Sequence, residues 1–163
     1  LARSRLLQSF AEVMKQNLKY SNQKVLYHYM GKEWISKISS TMFNLAPRGF
    51  GRSSFRLAEI IQIGRIPVYL YDDVPWLPYE GTDISLNKFG YVAGPKDYQH
   101  IVKTLEVHSK NATEMTKRFL LVQEIRKHYT YEGVMEQLTS FFSDPFGSNG
   151  GQLRCSRLPN KDH

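Results

Sequence analysis

Of the 163 residues only one is cysteine, Cys155. No internal disulfide can form, and zinc sites built on several cysteines are excluded. No run of about 18 apolar residues occurs, so nothing in the sequence reads as a membrane-spanning helix, and no signal-peptide pattern is visible. The chain opens on Leu1 rather than Met and reads as a piece of a longer protein. There is no internal repeat and no low-complexity block. Nor is there a long run of one charge sign: Lys and Arg outnumber Asp and Glu by 22 to 15, but they are scattered, and a disordered basic tail is not the reading. The net charge of +7 favours an anionic partner (a phosphate, a nucleic acid, an acidic glycan or a membrane surface) without choosing among them. No RNA-binding signature with interleaved aromatics is present, so nucleic acid is not the expected partner.

What is present is enough apolar material for a core: 41% of residues are hydrophobic and 13% aromatic. The length suggests one domain. Leu6, Leu7, Phe10, Val13 and Met14 recur at helical spacing and predict a helix over 3–18. "KVLYHY" (24–29) reads as a strand, 32–39 as a short helix with Trp34, Ile35 and Ile38 on one side, and "TMFNL" (41–45) as a second strand that stops before Pro47. A helix is expected over 53–63, with Leu57, Ala58, Ile60 and Ile61 inward and Gly64 just past its end. "IPVYLY" (66–71) is nearly all apolar, as in a strand covered on both faces. A short strand follows at 89–92, then helices over 96–107, 112–128 and 131–142. The alternation implies an α/β fold, a parallel sheet with helices on both faces. We expect a domain over 1–143 and a polar tail over 144–163.

The loop "PRGFGR" and the helix after it hold the candidate site. In an open parallel sheet, ligands bind outside the carboxyl ends of the strands, and a helix N-terminus there offers free N–H groups to an anion. Gly49 and Gly51 lack Cβ, so backbone can approach an oxyanion closely. Arg48, Arg52 and Arg56 supply permanent positive charge. Ser53 and Ser54 can cap the helix, donate to a phosphate, or both. Glu59 falls off the apolar stripe and lies about 9 Å along the helix axis from Ser53, within reach of a sugar attached to a diphosphate. A carboxylate accepting ribose hydroxyls is a common pairing in nucleotide sites. The plainer alternative is that Glu59 pairs with Arg56 three residues earlier and the arginines are solvated. The loop is neither a Walker A sequence nor the GxGxxG fingerprint.

The stretch "FNLAPRGFGRSSFRLAEIIQIGRIPVYLYDDVPWLPY" closely resembles the exostosin family of glycosyltransferases. The matching elements are the LxPRG turn, the SxRLxE helix, GxIPV entering a strand, and the LPY after it. "MGKEWISKISSTMF" upstream and "YEGVMEQLTSFFSDPFG" near the end also look like the family. The strong match covers about 29 to 95, and a weaker one most of the rest. The resemblance implies a Rossmann-like half of a GT-B fold, the C-terminal half that holds most of a nucleotide-sugar donor. It also implies a UDP-sugar as donor substrate, inversion at the anomeric carbon, no bound metal, a glycan or glycoprotein acceptor, and action in the Golgi lumen from a membrane-anchored parent. By this likeness Arg48, Ser53, Ser54 and Arg56 face the diphosphate and Glu59 the ribose. The N-terminal half that holds much of the acceptor site in whole family members has no room here, and no catalytic residue is assigned. The alternative is a non-catalytic basic module for acidic glycan or another polyanion, or a scaffold that has lost turnover.

Asp72-Asp73 is read as shaping the loop after its strand rather than as a metal site. Trp76, Pro78 and Tyr79 either line a cleft or pack that loop on the sheet. His28 is read as structural, and His100, His108 and His128 as surface residues. Phe119, Leu120, Val122 and Ile125 form a core stripe. Val134, Leu138, Phe141 and Phe142 are expected to be partly exposed. Asn111-Ala112-Thr113 fits the acceptor pattern for N-glycosylation, one that also arises by chance.

Overall fold

The structure is a computed structural model that describes residues 2–17 and 31–144. The predicted strand at 24–29, His28, Cys155 and all of the tail after residue 144 lie outside the described residues. In order, the elements are α1 (Ala2–Asn17), α2 (Trp34–Ser39), β1 (Phe43–Pro47), α3 (Phe55–Gln62), β2 (Ile66–Leu70), α4 (Leu86–Phe89), β3 (Tyr91–Ala93), α5 (Tyr98–Ser109), α6 (Ala112–Ile125) and α7 (Tyr131–Ser143). Single 3-10 turns occur at Pro95–Asp97 and Arg126–Tyr129. The chain divides into two compact units, one ending at Arg126 and one beginning at Lys127.

The first unit is an α/β layer of the expected Rossmann-like kind. Among the described residues three parallel strands lie in the order β1-β2-β3 and are flanked by helices. β1 pairs with β2 from Phe43↔Ile66 to Pro47↔Leu70, and β2 with β3 from Val68↔Tyr91 to Leu70↔Ala93. Every residue of β2 is buried, which is why its sequence is a continuous apolar run. β1 runs two residues further than expected, through Pro47. The Arg48 N–H donates to Leu70 O at 2.8 Å. Successive N–H groups alternate sides along a strand, so the position of Pro47 faces away from β2 and costs no bond in that ladder. The buried Asn44 of β1 donates to Ile38 O at 3.3 Å and so ties the end of α2 to the sheet. On the side of α2 that carries Trp34, Ile35 and Ile38, Ile38 is buried and Ile35 exposed.

α3 begins at Phe55, not Ser53, and buries Leu57, Ile60 and Ile61 as expected, while Ala58 is only half-buried. Gly64 ends it at φ +78. Its N–H donates to Ile61 O (2.8 Å) and that of Arg65 to Ile60 O (3.0 Å), a Schellman closure. Gln123 of α6 then donates to Gly64 O at 2.8 Å, locking the turn to its neighbour. β3 is also displaced from the expected 89–92. Phe89 closes the short α4 with its ring fully buried, and the strand starts after Gly90.

α1 buries Leu6, Phe10 and Met14 and packs on α5, where Phe10 meets the Tyr98 ring edge-on at 5.1 Å. Burial pushes the Tyr98 hydroxyl up to about 12. On α6 the expected core stripe is half right. Val122 and Ile125 are buried, but Phe119 and Leu120 are exposed, and Phe119 lies under the Arg65 guanidinium at 5.7 Å. His108 is not a plain surface residue either. Its Nδ1 is 2.8 Å from the Tyr91 hydroxyl, and Glu114 and Arg118 close the group, with Arg118 Nε donating to Glu114 at 2.6 Å and stacking over Tyr91 at 4.5 Å. The Arg118 hydrogen bond holds the Glu114 carboxyl below its ordinary range.

In the second unit, Thr130 caps α7 by accepting the Gly133 N–H at 3.2 Å. Val134, Leu138, Phe141 and Phe142 are exposed, as expected.

Candidate functional site

The loop between β1 and α3 lies at the carboxyl edge of the sheet, where β2 also delivers the loop that starts at Tyr71. It is folded onto itself. The Gly49 N–H donates to Ser53 O at 2.8 Å, and the Ser54 hydroxyl donates to Pro47 O at 2.8 Å. The Tyr69 hydroxyl, rising from β2, donates to Arg52 O at 2.5 Å, and the Trp76 N–H donates to that same hydroxyl at 3.3 Å. One phenol from the central strand thus braces both loops. Its surroundings push its pKa up, burial first.

Ser54 occupies the N-cap position of α3 but does not cap it with its side chain. Its hydroxyl is buried and committed to Pro47 O, whereas Ser53 is exposed. The two serines therefore have different tasks: Ser54 closes the loop, and only Ser53 is open to a ligand. A Cβ on Gly49 would stand 3.1 Å from Ser53 O, so that glycine serves the tight closure. Around Gly51 there is open space, and Phe50 beside it is fully exposed.

Each of the three arginines has a carboxylate partner. Arg48, with its side chain only 15% exposed, pairs with Asp72 and at 3.0 Å with Asp73, and donates to Phe50 O at 3.3 Å. Arg52 reaches Asp73 at 3.4 Å. Arg56 pairs with Glu59 at 3.1 Å across one helical turn and lies over the Trp34 ring at 4.9 Å. Set against one another, three guanidinium groups and three carboxylates sum to zero formal charge. The Asp72 hydrogen bond raises the Arg48 pKa above its ordinary value. The Asp73 carboxyl is held below its ordinary range, first by the Val74 backbone N–H and then by the Arg48 and Arg52 charges.

The expected residues thus form two sets of ion pairs, Arg48 and Arg52 with Asp72 and Asp73, and Arg56 with Glu59. What sequence reasoning missed is the part that Asp72 and Asp73 play in the first set. Asp72 and Asp73 do shape the strand-end loop, and they do so by binding the loop arginines. Tyr69 and Trp34 were missed as well. Trp34 precedes the cluster in sequence and shows itself only through its stack with Arg56. Of the loop aromatics, Trp76 is 43% exposed and Tyr79 takes a left-handed φ of 58. A shallow hollow of about 240 Å³, lined by Met42, Arg65, Ile66 and Phe119 among others, opens at the start of β2, and none of the expected site residues lines it. Among the described residues no group of three or more His, Cys, Asp or Glu side chains comes together as a metal site. Comparison with protein-family models, with curated proteins and with solved structures finds no match.

Proposed function

We propose that the chain is the donor-binding half of an exostosin-type glycosyltransferase. It takes a UDP-sugar for inverting transfer to a glycan or glycoprotein acceptor, in the Golgi lumen, from a membrane-anchored parent whose N-terminal half completes the acceptor site. The observation that supports this reading is a coincidence of sequence and position. The segment that carries the ordered LxPRG, SxRLxE, GxIPV and LPY motifs is also the segment that forms the carboxyl edge of a parallel sheet, where such folds hold nucleotides.

In this reading the leaving group is a nucleoside diphosphate, and negative charge grows on its β-phosphate as the glycosidic bond breaks. Arg48 and Arg52 neutralise that charge once the phosphate takes the places of Asp72 and Asp73. Until then the two carboxylates serve as resident counter-ions that keep both side chains in position. Ser53 donates to phosphate, and Glu59, one turn into α3, accepts from the ribose hydroxyls. The polyanion-binding alternative has the net charge of +7 behind it. At this loop, however, positive charge is matched one for one, which favours a ligand that exchanges specific partners over a diffuse basic surface.

Glu59→Ala tests the reading. The surface pair with Arg56 is worth about 0–1 kcal/mol, so folding stability should hardly change. A hydrogen bond to a charged group contributes about 1.5–3 kcal/mol, so UDP affinity measured by calorimetry should fall roughly 10- to 100-fold. Unchanged UDP affinity in this variant removes Glu59 from the site.

A further inference from the structure

We propose that Asn111 carries an N-linked glycan. The inference rests on the luminal location that belongs to the proposed function. Asn111, Ala112 and Thr113 form an acceptor tripeptide and all three are exposed. Asn111 is the N-cap of α6, with extended backbone (φ −102, ψ 95). Its side chain accepts the Glu114 backbone N–H at 3.1 Å. Because the partner is an N–H donor, the accepting atom must be Oδ1, and this fixes the amide orientation. Nδ2 has no hydrogen-bond partner among the described residues, and the residue is exposed. In the modification, Nδ2 loses one hydrogen and bonds to C1 of an oligosaccharide; a lipid diphosphate leaves, and the proton passes to base. Oδ1 remains a carbonyl acceptor throughout, so the glycan and the helix cap are compatible.

The position is also harmless to the donor site. His108, the penultimate residue of α5, touches Tyr91, the first residue of β3, at 2.8 Å. The α5–α6 connection therefore lies at the amino edge of the sheet, opposite the β1–α3 loop. A bulky polar glycan there leaves the carboxyl edge open.

The test routes this chain into the secretory pathway of a eukaryotic cell behind a cleavable signal sequence, then digests it with peptide-N-glycosidase. The expected result is a single downward mobility step on digestion, with an aspartate left at position 111 of the deglycosylated chain. Thr113→Ala and Asn111→Asp should each remove the step while keeping a capped α6, since Asp also caps well. A folded, secreted chain that is unmodified overturns the inference. The same digestion of the protein from its own cells is the second arm, and resistance there overturns it as well. UDP binding by the same secreted material is read separately. A modified chain that ignores UDP sinks the donor-site reading and leaves this site standing, while an unmodified chain that binds UDP does the reverse.

Discussion

Arg48→Ala is expected to lower UDP affinity roughly 10- to 100-fold, while Asp72→Asn combined with Asp73→Asn is expected to raise it. The two results have opposite signs because the diphosphate and the two carboxylates compete for the same guanidinium N–H donors. Arg48 is held by Asp72 and by Asp73 at 3.0 Å, and Arg52 by Asp73 at 3.4 Å. A diphosphate must break these pairs before it gains its own, so neutral partners that grip less firmly leave more of the binding energy for the ligand. Removing Arg48 deletes the donor and leaves two carboxylates that repel the phosphate. Both variants should melt below the parent chain, since both lose the tie between the loops after β1 and β2. Acid should loosen the same tie. The folded-state pKa of Asp73 is lowered, so its contribution is complete above the ordinary Asp value of about 3.9 and is lost as pH falls through the depressed one. A purely structural Arg48 predicts the same loss of stability in both variants, with neither binding UDP more tightly. Calorimetry with UDP separates the two.

Gly133→Ala is expected to destabilise the second unit by about 1–3 kcal/mol, in a helix where Ala is intrinsically better than Gly by about 1 kcal/mol. The sign follows from what surrounds the position. A Cβ there would run into the Lys127 carbonyl oxygen and stand 2.8 Å from His128 Cα. Both are backbone atoms, which cannot rotate away as a side-chain tip would. The clash would also push at the cap, because the Gly133 N–H is the group that Thr130 accepts. Hydrogen exchange of the α7 amides reads the effect directly and should accelerate strongly. Gly51→Ala is the control, since nothing lies within 4 Å of its added Cβ and the fold should be indifferent to it. An α7 that exchanges no faster in Gly133→Ala contradicts this packing.

The elements that were legible in the sequence are those whose residues carry the reason for the structure among near neighbours. The Leu6, Phe10, Met14 stripe, the Leu57, Ile60, Ile61 stripe with Gly64 behind it, and the apolar run of β2 all appear where expected. β1 was misjudged because Pro47 reads as a stop, whereas its position faces away from β2 and takes no part in that ladder. β3 was misjudged because Phe89 looks like a strand residue until Gly90 ends a helix there. Phe119 and Leu120 show the limit of periodicity, which identifies an apolar face but not whether anything covers it. The candidate site divides in the same way. Arg56 and Glu59 are three residues apart, and their pairing was visible as an option. Arg48 lies 24 and 25 residues from Asp72 and Asp73, and only the parallel pairing of β1 with β2 brings them together.

The most direct measurement is titration calorimetry of the folded chain with UDP, beside ADP and GDP, in EDTA at moderate salt. The account predicts saturable binding of UDP that persists in EDTA and exceeds that of the two purine nucleotides. A folded chain that binds none of the three, or all of them equally, contradicts the claim that this edge of the sheet is a UDP-sugar site.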